Sequence, residues 1–152
     1  MGSYSFGDVN ASITGPGGTV SFGYGAGTAE EGITTEMAED KDNMVIGADG
    51  SVMHTLHAGN AGSVTVRLLK TSPTNAKLQA MYDFQITSSA LHGQNTIVIA
   101  NPATGDVVTC LSCAFRRRPN ITYAKEGGVM EWSFNAGRIA TVLGASAPQV
   151  SI

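Results

Sequence analysis

Three histidines, two cysteines and a run of three arginines are the side chains of this 152-residue chain best suited to chemistry. Their spacing decides what each could do. His54-Thr-Leu-His57 with His92 would offer three imidazoles to a metal ion. In an extended segment residues three apart point to opposite faces, so His54 and His57 converge only across a turn. The helical zinc motif sets two histidines four apart with a glutamate between them, and this is a different pattern. No carboxylate stands at a matching ligand spacing. The three read as polar loop histidines. A small β-barrel metalloenzyme built on them is an alternative that metal analysis of the purified protein separates.

Cys110-Leu-Ser-Cys113 has the spacing of a redox or half-zinc motif. Redox pairs sit at a helix N-terminus, where the dipole lowers the thiol pKa. These two fall in an expected strand, on opposite faces and with no second pair, and read as small, partly buried thiols. Arg116-Arg117-Arg118, just before Pro119, is the densest positive cluster. Without stacking aromatics nearby it is a weak nucleic-acid signal. It suits pairing with acidic residues of a neighbouring subunit, for which Glu30, Glu31 and the cluster Glu39-Asp40-Lys41-Asp42 are available. Such pairing sets register and specificity more than affinity. The glycine-rich stretches 15–18 and 23–27 follow neither the dinucleotide nor the phosphate-loop spacing, and no nucleophile motif is present. The reading is of a non-enzyme with no catalytic residue, cofactor or metal.

The elements that must carry these residues are those of a β protein with one helix. Val9, Ala11 and Ile13 alternate with polar residues, so 8–14 reads as a half-buried strand. Gly15-Pro16-Gly17-Gly18 turns it into a partner strand through Val20 and Phe22, and 23–28 is a flexible connection. Ile33 to Met37 and Asn43 to Gly47 give two more strands. From Ala38 to Gly62 the chain is rich in turns, long for a connector and therefore functional or mobile. Ser63 to Lys70 is a strand. Ser72-Pro73 starts the helix, with serine as cap and proline at the first helical position. Leu78, Met81, Tyr82 and Phe84 carry it to about 85–88. Strands then follow at 96–100, 107–115, 121–125, 130–136 and 139–143. The expected fold is mainly β, a sandwich or barrel flanked by one helix. It forms a single domain over 1–144, with 145–152 a loosely ordered tail. Val64, Val66, Leu68, Met81, Phe84, Trp132 and Phe134 are the expected core.

Charged residues are 14% of the chain, against roughly 25% in an ordinary soluble domain. A small subunit that omits its ionic coat hides surface against copies of itself or a partner. The formal charge of −3 lacks the basic footprint of a nucleic-acid binder. No apolar run approaches the ~20 residues that span a bilayer, so no membrane insertion is expected. No basic segment with an apolar stretch opens the chain, so it is expected in the cytosol of the cell that makes it.

Five segments, in this order and spacing, resemble the tail-tube proteins of contractile-tailed bacteriophages and prophages. They are Tyr4-Ser-Phe-Gly-Asp-Val-Asn-Ala-Ser-Ile-Thr-Gly-Pro-Gly-Gly18, Ala29-Glu-Glu-Gly-Ile-Thr34, His54-Thr-Leu-His-Ala-Gly59, Gly62-Ser-Val-Thr-Val-Arg-Leu-Leu-Lys-Thr-Ser-Pro-Thr-Asn75 and Tyr123-Ala-Lys-Glu-Gly-Gly-Val-Met-Glu-Trp-Ser-Phe134. The resemblance implies a subunit that assembles into hexameric rings, stacked into a hollow tube lined by a continuous β-barrel. It implies sheath, baseplate, tape-measure and tail-terminator proteins as partners, with DNA passing the lumen without sequence-specific binding. The location implied is the virion tail, after assembly in the host cytoplasm. A secretion-system tube or carrier is similar in architecture and is the second reading. Within that frame Asp40, Lys41, Asp42 and Asp49 are expected to meet an adjacent ring. Arg116, Arg117 and Arg118, with Glu30 and Glu31, are expected to bridge subunits.

Overall fold

Alternation of apolar and polar residues builds most of the strands, and a few glycines set where they turn. The structure, a computed structural model, describes residues 4–23, 25 and 28–144, without the side chains of 28–31. The expected tail at 145–152 lies outside the described residues, as do Tyr24, Ala26 and Gly27 of the 23–28 connection. Strand β1 (Asn10–Gly15) buries Ala11 and Ile13 and turns into β2 (Gly18–Ser21). Gly17 and Gly18 hold φ of 101° and 121° in that turn, a region that side chains with a Cβ rarely enter. The order continues with β3 (Thr28–Met37), β4 (Asp42–Ile46), β5 (Val52–Leu56) and β6 (Gly62–Leu69). After helix α1 (Thr74–Gln85) come β7 (Asn95–Asn101), β8 (Asp106–Arg117), β9 (Val129–Ala136) and β10 (Arg138–Val142).

Two antiparallel sheets share the long strand β8. The first runs β2-β1-β7-β8-β10 and the second β3-β6-β9-β8. The first half of β8 pairs with β7 on one side and β10 on the other; its end, Ala114 to Arg117, pairs with β9. The sheets do not close into a barrel, so of the two expected architectures the sandwich is the one found. Its core joins Ala11, Ile13, Val20 and Ile97 from the first sheet with Val64, Val66, Leu68, Trp132 and Phe134 from the second. Leu78 and Met81 bring the helix onto it.

Buried amides pin the helix at both ends. Ser72 Oγ accepts the Thr74 N–H at 3.2 Å, while the helix starts at Thr74, one residue later than expected, with Pro73 in the cap position. Asn75 accepts the Trp132 indole N–H at 3.0 Å and donates to Leu69 O at 2.9 Å. At the other end Gln85 and Asn95 exchange reciprocal hydrogen bonds of 2.7 Å, and Gln85 also donates to Pro16 O at 2.8 Å. Each satisfied polar group here avoids the ~1–3 kcal/mol cost of an unpaired buried one.

Four expectations are corrected. Phe84 is outside the core, 49% exposed beside the β1–β2 turn at Gly17, because the inward stripe of α1 runs through Leu78, Met81 and Gln85 instead. Residues 121–125 are not a strand. Lys70 fastens that segment to the end of β6, donating from Nζ to Thr122 O and lying 3.7 Å from the centre of the Tyr123 ring. The 38–62 excursion contains a second strand, β5, paired with β4. Lastly, Cys110 and Cys113 lie on one face of β8, not on opposite faces. A bulge sets Cys110 opposite Ile97 and Cys113 opposite Asn95, with Ser112 at φ 53°. The extra residue restores the core-facing phase after three steps.

Candidate assembly interface

The β4–β5 hairpin is the part of the chain least supported by its own subunit. All ten of its strand residues are exposed, and its two strands pair only with each other among the described residues. The register sets Met44 opposite His54, Val45 opposite Met53 and Ile46 opposite Val52. Alternation then sorts the side chains into two faces. One carries Met44, Ile46, Val52 and Leu56 beside Asp42 and His54; the other carries Asn43, Val45, Met53 and Thr55. Leu56 is 82% exposed and Ile46 61%. An isolated two-stranded hairpin is marginal in water, and exposed apolar patches of this kind mark interaction surfaces.

Within the subunit, three of the four residues expected to reach an adjacent ring hold the hairpin in shape. Lys41 Nζ donates to His57 O at 3.1 Å, and the His57 N–H donates to Lys41 O at 2.9 Å, closing the base. The Asp42 carboxylate meets His54 Nδ1 at 3.0 Å across the strands. Asp49 Oδ1 accepts the Ser51 N–H at 3.0 Å in the turn. Hydrogen bonds from the Ser51 side chain and backbone hold the Asp49 carboxyl below its ordinary range. Asp40 stands exposed at the base of the hairpin. The exposed apolar residues of β5 are the interface candidates that sequence reasoning missed, although Asp49-Gly50 before Val52-Met53 is a hairpin signal.

The arginine cluster ends β8 at the rim of the second sheet. Arg116 Nε and Nη2 donate to Asn135 Oδ1 at 3.1 and 3.0 Å, so this arginine is engaged inside the subunit. Arg117 and Arg118 line an open polar cleft with Asn120, Thr122, Glu131 and Ser133. Arg67 occupies the neighbouring Glu131 with an Nε–carboxylate contact of 3.4 Å and donates to Thr34 Oγ1. Glu30 and Glu31 lie in β3, and their side chains are outside the described residues.

The remaining candidates do not converge. His54 is in β5, His57 just beyond it and His92 in the turns after α1. Among the described residues no group of three or more His, Cys, Asp or Glu is arranged to hold a metal ion. Burial pushes the Cys110 thiol up to about 11 and the Cys113 thiol up to about 12, the latter helped by its neighbour Cys110. Both are therefore protonated, unreactive core groups at neutral pH. Among the described residues no helix is long and apolar enough to cross a membrane.

Comparison with known proteins agrees with an assembling subunit. The family model described as bacteriophage PhiTE tail tube protein matches residues 1–144. A chain of the PVC sheath-tube complex, an extracellular contractile injection system in its extended state, superposes with a TM-score of 0.60 and 11% identity, covering 93% of this chain and 92% of that one. A chain of the anti-feeding prophage baseplate gives 0.57 at 11% identity, over 93% and 96%. A chain of the PVC sheath/tube terminator gives 0.52 at 14%, over 92% and 96%. At such identities the likeness is one of fold. No curated protein matches the chain.

Proposed function

This chain belongs to the bacteriophage PhiTE tail tube protein family, and from that premise we propose that it works as hexameric rings stacked into a hollow conduit. As a structural subunit of the tail tube its place is the virion tail. The finer reading is that rings assemble in the host cytoplasm on a baseplate around a tape-measure protein. A sheath encloses the stack, a terminator closes it, and DNA later passes the lumen without sequence-specific contact. A net charge of −3 per subunit supports such passage, since repeated acidic subunits repel a polyanion. The injection-system neighbours share this fold and favour, as a second reading, a tube that carries other cargo.

The observation that carries the ring-stacking part is the β4–β5 hairpin, exposed on both faces and apolar on much of each. A neighbouring copy covering it would turn an unfavourable surface into buried area, at roughly 25 cal/mol per Å². In this reading Asp40, Lys41, Asp42 and Asp49 shape and orient the hairpin for an adjacent ring. Arg116, Arg117 and Arg118 work with Glu30 and Glu31 between subunits. Negative-stain microscopy of concentrated protein tests the whole: rings or long hollow filaments are expected. Replacing residues 42–56 by a short Gly-Ser link should leave a folded subunit that no longer polymerises. Normal tubes from that variant would remove the hairpin from the interface.

A further inference from the structure

Two long stretches of the described chain are exposed without a break, residues 42–56 and residues 120–129. The strand register places them at opposite ends of the second sheet. At one end Met37 pairs with Gly62 and Gly62 with Ala136. The hairpin leaves from there, its base closed by the Ala38 N–H donating to Ala61 O at 3.0 Å. At the other end Leu69 pairs with Val129, where the irregular link from β8 enters β9. Lys70 holds that link against the end of β6. Its N–H donates to Gly128 O at 3.2 Å, and its ammonium meets Thr122 O and the Tyr123 ring.

Both ends present apolar groups to solvent. The hairpin exposes Met44, Ile46, Val52 and Leu56, and the opposite end exposes Leu69, Ile121, Tyr123 and Val129, with Tyr123 at 86%. Neither set joins the buried core. Because Lys70 already fixes the link, covering it costs little further ordering of the chain.

Charge distinguishes the two ends. The 38–62 excursion carries Glu39, Asp40, Asp42 and Asp49 against Lys41. The opposite end carries Lys70, Arg117, Arg118 and Lys125 against Glu126. Glu131, which lines the cleft there, is taken up by Arg67. One end is therefore acidic and the other basic, and each bears an apolar surface for the other to cover.

We propose that the β4–β5 hairpin of one copy docks on the 120–129 end of a copy in the next ring. Its apolar side chains meet Leu69, Ile121, Tyr123 and Val129, and its acidic residues face the cations around them. This rests on the tube reading and deepens it by naming the surface that receives the hairpin. The contact is heterologous, made by two different surfaces, so it repeats along the stack without closing on itself. Turning one ring over would set acid against acid, so the same charges give the stack a single direction.

Two variants test it. Ile121→Ser with Tyr123→Ser should raise the concentration at which rings stack ~tenfold or more, with unstacked rings left in the microscope field. Lys125→Glu should act in the same direction by about threefold. Circular dichroism and tryptophan fluorescence check the fold of each. The second variant, Val52→Cys with Tyr123→Cys, reads proximity without weakening the contact. Cys110 and Cys113 are buried, so a short bismaleimide should link only the introduced thiols. Assembled tubes of this variant should give a ladder of multimers on a denaturing gel, and either cysteine alone should give none. The ladder decides the matter if the serine variant fails to fold. Normal stacking of a folded serine variant, or double-cysteine tubes that yield no ladder, would overturn the docking and leave the tube reading standing. A wild type that forms no rings at any concentration would remove the tube reading and this docking with it.

Discussion

The sandwich core and the β4–β5 hairpin are built on opposite rules. In β6 every second residue is buried and in β9 the same alternation runs from Trp132 to Ala136, and Val64, Val66, Leu68, Trp132 and Phe134 have almost no exposed surface. In the hairpin, residues of equal hydrophobicity, Met44, Ile46, Val52 and Leu56, are half exposed or more. Apolar content alone therefore does not say where the core is. Sheet pairing on both sides and a second layer above do, and the hairpin has neither. Stability of the subunit should reside in the first region and assembly in the second.

The sharpest break of that division is Trp132→Ala. It should cost about 3–5 kcal/mol in urea unfolding, since it empties a core site and strands Asn75 Oδ1. Gln85→Ala should follow at about 1–3 kcal/mol, because the Asn95 amide then keeps no partner for its buried side chain. A third effect comes from pH. The thiols of Cys110 and Cys113 are raised from 9.0 to about 11 and about 12 in the folded protein. The unfolded chain therefore loses these protons first, and stability is full below pH 9 and falls as pH rises toward 11. The slope is at most about 1.4 kcal/mol per pH unit for each thiol, and Cys110→Ala with Cys113→Ala should flatten it. Smallest in stability is Ile46→Ser with Val52→Ser, expected within about 0.5 kcal/mol of wild type. That last variant should nevertheless lose its tubes under the microscope, and a large drop in its unfolding midpoint instead would erase the contrast between the two regions.

Where one face of a strand is buried, the sequence announced it. Val64-Thr-Val-Arg-Leu68 and Met130-Glu-Trp-Ser-Phe134 alternate because one side meets the core, and both were legible. Strand β5 was not, since both its faces are exposed and nothing imposes alternation on Val52 to Leu56. Conversely, Ile121, Tyr123 and Lys125 alternate without forming a strand, because Lys70 and its backbone N–H capture the segment at Thr122 and Gly128. The bulge at Ser112 was hidden for another reason: its positive φ falls on a serine, where a glycine would have marked it. Of the interface candidates, the basic run at 116–118 could be read directly. The division of labour within it required Asn135, which is 19 residues away from Arg116 in the chain and adjacent to it across the strands.

Two strands, not one, pass between the sheets at the same corner. As β8 crosses at Leu111 to Cys113, the run from β9 into β10 crosses back beside it at Gly137, whose N–H donates to Leu111 O at 3.0 Å and Ser112 O at 3.3 Å. A Cβ at Gly137 would sit 3.0 Å from that of Ser112, so any larger residue there would push the two crossings a few tenths of an ångström apart. Mechanically, a load applied to either layer reaches the other along two continuous covalent backbones clamped side by side. Shearing one layer past the other would require that doubled joint to give.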